Sequence, residues 1–203
     1  MNLSEQAAAA AMSFAHEVGH LKRTPRTGWT LAGVRGPESV AEHSFRVGVL
    51  AYCIGLHEDA NADHAAVLGL FHDLPETRIG DIPSVGKKYV ATASPHRVII
   101  DQVSDLDPLL ASHIVAMVYE HESAKTNGAS RESRCSRDAD KLECLLQARE
   151  YQREGYQQLD PWVTTMTEAM TTPTGKRLAA AALDVSPGQW WDTFAQNYGK
   201  DTA

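Results

Sequence analysis

Three cysteines in 203 residues, Cys53, Cys135 and Cys144, are too few and too irregularly spaced for a disulfide framework or a zinc finger. They read as reduced thiols in a cytoplasmic protein. Long apolar runs are missing too: the longest charge-free stretch of the apolar middle, Val47 to Leu56, is about half of the ~20 residues that a membrane helix needs. No membrane association is expected. Positive charge is in deficit, with 19 Lys plus Arg against 26 Asp plus Glu and a net charge of −7. That is the wrong sign for binding driven by release of counterions from a phosphate backbone, so nucleic-acid polymers are not expected as partners. The opening Met1-Asn2-Leu3-Ser4-Glu5 has no basic region and no cleavage site after a true apolar run, so no signal peptide is expected. What remains, 43% hydrophobic and 22% charged, is the composition of one ordinary globular domain. Folding at this length buries roughly 70% of the unfolded surface, so a core needs no structural metal, and any metal would be functional.

Apolar residues recur at helical intervals along most of the chain. Leu3, Ala7, Ala10, Phe14, Val18 and Leu21 step by three and four, a stripe that stops before Pro25. After a loop rich in Gly, Pro and Arg, Ser39-Val40-Ala41-Glu42 has the form of a capping box. The helix it opens carries an inward stripe of Val40, His43, Val47, Leu50 and Ile54, which places His43 among buried positions. A third helix is predicted from about Asn61 to His72, broken by Leu74-Pro75, and an irregular loop holds Gly80, Pro83 and Gly86. Helical spacing returns near Pro95 to Val103, Pro108 to Glu120 and Ser130 to Tyr151, then near Thr164 to Leu183 and Gly188 to Tyr198. No strand-like alternation, repeat or linker is evident. The expectation is therefore an all-α fold in a single domain over 1–203, with its motifs between about 21 and 151 and C-terminal helices from 152 onwards packed on it.

His72-Asp73 alone carries little, because nine histidines among many acids make such a pair unsurprising. It gains meaning at the end of the apolar run Ala65-Ala66-Val67-Leu68-Gly69-Leu70-Phe71, where a buried imidazole and carboxylate need partners or a metal to offset desolvation. His43 offers a second nitrogen donor from a buried stripe, and Asp140 an oxygen donor from inside the Ser130 to Tyr151 helix. Taken singly, each reads as a satisfied core histidine or an ordinary helix carboxylate. Together, two imidazoles and two carboxylates suit octahedral Mn, Co, Fe, Ni or Mg-like coordination better than a thiolate zinc site.

In order along the chain, Gly28-Trp29, Pro37-Glu38-Ser39-Val40-Ala41-Glu42-His43-Ser44, His72-Asp73-Leu74-Pro75-Glu76, Gly80-Asp81-Ile82-Pro83 and Asp138-Ala139-Asp140 resemble the blocks of the HD-domain metal phosphohydrolases, within them the 5′-deoxynucleotidase group. The resemblance covers about Leu21 to Tyr151; the segment beyond adds nothing to it. It implies a phosphomonoesterase acting on nucleoside 5′-monophosphates, with the 2′-deoxy sugar preferred, and one divalent ion (Co, Mn, Fe or Mg) held by His43, His72, Asp73 and Asp140. It also implies that Glu76 and Asp81 serve catalysis, Glu76 as the group that orients water or protonates the leaving alkoxide. Asp81, with Ile82, Pro83 and Ser84, matches the block that holds the deoxyribose 3′-hydroxyl. Trp29 matches the tryptophan that packs on the sugar, and His43 and Asp73 fall beside the substrate. Where bacterial deoxynucleotidases carry an arginine before that tryptophan, this chain has Gly28. Arg26 can replace it if the loop bends inward, as the Arg-Thr-Gly-Trp form of some relatives suggests; Lys87, Lys88 and Arg35 are further candidates.

Two other readings compete. His96 and His121 fall where some HD enzymes carry extra histidines for a binuclear phosphodiesterase or oxygenase centre. Tyr119-Glu120-His121-Glu122, however, reads as the polar side of a helix, and His96 follows Pro95 at a helix start, so both are expected at the surface. A non-catalytic nucleotide-binding HD module is the other, although no ligand position is missing. Apolar helix faces and the Trp190-Trp191 pair allow a homodimer, the pair itself being expected in the core.

Overall fold

The computed structural model describes residues 3–198; the outermost residues of the expected 1–203 domain lie outside the described ones. The elements are α1 (Glu5–Val18), α2 (Gly28–Leu31), α3 (Val40–His57), α4 (Ala62–Phe71), α5 (Glu76–Ile79), α6 (Pro95–Gln102), α7 (Pro108–Glu122), α8 (Arg131–Arg153), α9 (Asp160–Glu168), α10 (Pro173–Asp184) and α11 (Gln189–Asn197). Short 3₁₀ turns cover Gly19–Arg23, Gly86–Lys88 and Ser123–Lys125. Among the described residues there is no strand, only an isolated antiparallel bridge between Pro25 and Ser39, so the fold is all-α as expected. No helix among them is long and apolar enough to cross a membrane.

The helix starts follow local chemistry. Ser39 Oγ accepts from Glu42 N at 3.2 Å while Glu42 Oε2 accepts from Ser39 N at 2.6 Å, the reciprocal capping box that starts α3. Asn61 and Ser130 cap α4 and α8 through their side-chain oxygens. The expected helix from Thr164 to Leu183 is in fact two. Pro173 has no N–H to continue a helix and instead occupies the first turn of α10, capped by Thr172. The buried Asp138 carboxylate fixes the break by accepting from Thr171 N and Thr172 N.

Long α8 packs against α3 and α4, and α3 crosses α4 closely enough that glycines are required where they meet. A Cβ on Gly69 would lie 3.1 Å from the Gly48 backbone, and one on Gly55 2.9 Å from Ala62 Cα. Three apolar clusters result. Val47, Ala51 and Ile54 pack with Ala139, Leu142, Leu145 and Ala179; Val40 and Leu21 pack with Ile99, Ile114 and Val118; Trp29 packs with Cys144, Ala148, Tyr151 and Leu159. His43 lies between Val40 of the second cluster and Val47 of the first. The α1 stripe is half-buried from Ala7 to Val18, with Leu3 exposed at one end and Leu21 buried at the other. Trp190 and Trp191 are 76% and 52% exposed, so the pair is a surface feature and not core.

Candidate active site

His43 is wholly buried on α3, and its ring lies 5.3 Å from that of His72, the residue that ends α4. The close α3–α4 crossing produces this approach. Each ring is held by its Nδ1. His72 Nδ1 lies 2.7 Å from Gly69 O, and because a carbonyl only accepts, that nitrogen carries the proton. His43 Nδ1 lies 2.5 Å from Glu143 Oε2, whose other oxygen accepts from Arg46 Nε and Nη2 at 3.1 and 2.8 Å. Both Nε2 atoms are buried and have no hydrogen-bond partner among the described residues.

Asp73 Oδ2 completes the cluster at 3.0 Å from His72 Nε2 and 3.7 Å from His43 Nε2. Asp140 Oδ1 approaches His43 Nε2 at 3.4 Å, while its Oδ2 accepts from Lys141 Nζ at 2.7 Å. Burial alone would raise both carboxyls, but His72, Arg26 and His43 around Asp73, and Lys141, His43 and His72 around Asp140, hold both well below the usual carboxylate range. One donor atom each from His43, His72 and Asp73 falls within a 4.8 Å span, which suits a divalent ion bound by nitrogen and oxygen. His43, Glu143 and Cys144 also cluster, but Glu143 is already taken up by His43 and Arg46, and burial raises the Cys144 thiol pKa.

Glu76 begins α5 immediately after this cluster. Burial first, then the Asp73 and Asp81 charges, push its carboxyl up to about 9, and its Oε2 is buried without a hydrogen-bond partner among the described residues. Gly80, at φ 71°, turns the chain after α5 so that Asp81 reaches back to the loop before α2. There Asp81 Oδ2 accepts from Thr27 N at 2.6 Å and its carbonyl accepts from Thr27 Oγ1 at 2.7 Å. Arg26 bends inward: Nη1 donates to Asp73 Oδ2 at 3.3 Å and lies 3.8 Å from Asp81 Oδ1, and Nη2 contacts Cys144 Sγ at 3.4 Å.

A cavity of about 520 Å³ opens over these groups. Arg26, His72, Asp73, Glu76, Asp81 and Asp140 reach it, together with Ile82, Pro83 and Ser84; His43 lies behind the wall. Trp29 lines it as well, although it is 3% exposed, donates Nε1 to Glu38 Oε1 at 2.9 Å, and packs on Tyr151 and Trp162, so it is chiefly a core residue with one edge on the cavity. Of the other basic candidates Lys87 reaches the cavity; Lys88 and Arg35 do not.

One expectation fails here. His121 is buried, not surface: it shares one helical face with Ile114 and Val118, at steps of four and three, and the flanking Glu120 and Glu122 hide that stripe in the sequence. Its ring lies 4.8 Å from that of His72, Nδ1 meets Ser136 Oγ at 2.8 Å, and burial next to His72 lowers its pKa to about 3. His96 is exposed, as expected, against Tyr119. The segment after Tyr151 also contributes, because Pro161, Trp162, Thr165 and Met166 of α9 form a cavity wall. Glu143, Lys141 and Arg137 were not singled out from sequence; only their helical spacing from Asp140 could have pointed to them.

The family model described as HD domain matches residues 18–182. The 5′-deoxynucleotidase HDDC2 of Bos taurus is 33% identical over 150 residues, 74% of this chain and 72% of that protein. The 5′-deoxynucleotidase hdd1 of Schizosaccharomyces pombe is 32% identical over 145 residues, 68% of this chain and 70% of that protein. Among solved structures, a conserved hypothetical protein from Pyrococcus furiosus superposes with a TM-score of 0.68 at 26% identity, covering 86% of this chain and 99% of that one. A predicted metal-dependent phosphohydrolase from Magnetospirillum magnetotacticum MS-1, at 24% identity and a TM-score of 0.62 over 89% and 93% of the two chains, shares the fold.

Proposed function

This chain belongs to the HD-domain family, and on that premise we propose that it is a divalent-metal-dependent phosphomonoesterase that hydrolyses nucleoside 5′-monophosphates, preferentially of 2′-deoxyribose, to nucleoside and phosphate. The observation that carries this reading is the pair of unpartnered, buried Nε2 atoms beside Asp73, with the buried and equally unpartnered Glu76 Oε2 at the same nucleotide-sized cavity. The similar curated 5′-deoxynucleotidases support it.

In this reading His43, His72, Asp73 and Asp140 hold one ion, of Co, Mn, Fe or Mg. When bound, such an ion lowers the pKa of water and polarises a phosphoryl oxygen. Burial and the charges of Asp73 and Asp81 push the Glu76 carboxyl up, which favours its holding a proton where a leaving 5′-oxygen can take it. Arg26 faces the phosphate from beside Asp73. Asp81 Oδ2 is occupied by Thr27, which leaves Oδ1 as the acceptor for a 3′-hydroxyl, with Ile82, Pro83 and Ser84 along the same edge. Trp29 and Trp162, which line the cavity, would flank sugar and base. The proposal includes action as one domain, since α9 closes the cavity, and residence in the cytoplasm, which three free cysteines suit. It also includes a homodimer, for which the exposed Phe45, Val49, Tyr52 and Leu56 along one face of α3 offer a surface.

The test is phosphate release from 5′- and 3′-, ribo- and deoxyribonucleoside monophosphates after metal removal and single add-back of Mn, Co, Mg or Fe. Release from the 5′-deoxy substrates, abolished in Glu76→Ala with metal still bound, is expected. Full activity in that variant would remove Glu76 from the mechanism; silence across the panel would remove the reading. Buried His121 beside His72 favours a second possibility, a binuclear phosphodiesterase or oxygenase centre, but His96 stays outside the cavity. One ion per chain, unchanged in His121→Ala, decides against it. Nucleotide binding without release in any metal would mark a non-catalytic module instead.

A further inference from the structure

Gly28 brings no charge to the cavity it lines, and no atom lies within 4 Å of where its Cβ would stand. The charge of Arg26 is already shared, because its guanidinium lies between Asp73, Asp81 and the Cys144 sulfur. A second source of positive charge lies on α8. Lys141 Nζ donates one hydrogen bond, to Asp140 Oδ2, and its side chain is 25% exposed at the cavity wall. An ammonium has three donors, so two remain for a ligand beside the proposed metal ligand. Arg137, four residues earlier and therefore on the same helix face, also lines the cavity, is half-buried, and makes no hydrogen bond or ion pair among the described residues. Asp73, Glu76 and Asp81 line the same cavity, so its charge is divided, and on the α8 side Lys141 and the unpaired Arg137 set two neighbouring cations where an anionic group can be met.

We propose that Lys141, with Arg137 one helical turn away, is a phosphate-binding element of this site, complementing Arg26 and supplying the charge that Gly28 lacks. The ligand chemistry is a dianionic phosphate, whether the monoester or the inorganic product; that this phosphate is a nucleotide's rests on the function proposed above. A lysine suits the task because its ammonium is a compact charge on a flexible stem, able to follow the phosphorus group as the ester bond breaks.

Calorimetric titration of inorganic phosphate into Mn-loaded protein tests this without requiring turnover. Lys141→Met keeps the stem and removes the charge, and loss of a charge-assisted bond predicts about tenfold to a hundredfold weaker phosphate binding. Arg137→Ala loses less, and Lys141→Arg retains most of the affinity. A parallel titration of Mn into metal-free protein is expected to give unchanged or tighter binding in Lys141→Met, because Asp140 loses a competing cation. Phosphate affinity unchanged in Lys141→Met, or lost only in step with Mn affinity, overturns the proposal and leaves Lys141 as a counterion of Asp140. If Lys141→Met does not fold, unchanged phosphate affinity in Lys141→Gln and Arg137→Ala overturns it equally. Absence of phosphate binding by the unmodified protein overturns it too. Lys141-dependent phosphate binding with no hydrolysis of any nucleotide upholds it while the proposed function fails.

Discussion

Glu143 gives the sharpest test of how the site is held. It is fully buried on α8, and its two oxygens divide between His43 Nδ1 at 2.5 Å and Arg46 Nη2 at 2.8 Å. Burial would raise its carboxyl, but His43 and Arg46 hold it below the ordinary range, so it is a buried anion compensated by two partners. Glu143→Gln preserves the shape and removes the charge, leaving a buried ring and a half-buried guanidinium facing a neutral amide. Removing one partner of a buried ion pair costs about 3–5 kcal/mol. In a chain of this length each kcal/mol moves Tm by about 2–4 °C, so a fall of about 6–20 °C is expected. The carboxylate also orients His43 so that Nε2 points at His72 and Asp73, and loss of such a supporting group typically costs 10–100-fold in metal affinity. Differential scanning calorimetry and Mn titration read the two effects separately. A Gln variant melting within about 2 °C of the parent with Mn affinity intact would refute the argument; a fall in Tm alone would reduce Glu143 to a structural role.

Three further outcomes are expected. Asp138 accepts from Thr171 N, Thr171 Oγ1, Thr172 N and Thr172 Oγ1 at 2.7–3.0 Å, so Asp138→Ala should cost about 2–5 kcal/mol in urea unfolding with Mn affinity unchanged. A weakened metal site would instead place Asp138 with Asp140. Gly55→Ala gains about 1 kcal/mol of helix propensity but sets a Cβ 2.9 Å from Ala62 Cα, and overpacking of about 1–3 kcal/mol should win; a more stable variant would contradict this. Burial, then Glu143, raises the Glu38 carboxyl from 4.5 to about 7. The folded chain thus keeps a proton that the unfolded chain releases, so this contribution is complete below about pH 4.5 and is lost as pH rises through about 7. Stability measured across that window should fall less steeply in Glu38→Gln, and an identical fall in both proteins would show that another group carries it.

Local order was legible along the chain because helices announce themselves in spacing and caps. The Ser39 box, the Asn61 and Ser130 starts and the buried His43 stripe needed only neighbouring residues, and the all-α class follows from them. So did the order of His43, His72-Asp73 and Asp140 that marks the HD family. What the tertiary structure decided was which side chains meet. Whether His121 faced the core depended on how α7 packs on α8, which two flanking glutamates disguised. Asp138 and Asp140, two residues apart, point to different duties, one fixing the start of α10 and one lining the cavity, because a helix turns about 200° over two residues. Contacts between residues distant in the chain were set by how elements pack: His43 meets His72 where α3 and α4 cross at their glycines, His43 meets Glu143 where α3 lies on α8, and Asp81 meets Thr27 through the turn at Gly80. Spacing reports periodicity within one helix; it carries no information on the distance between two.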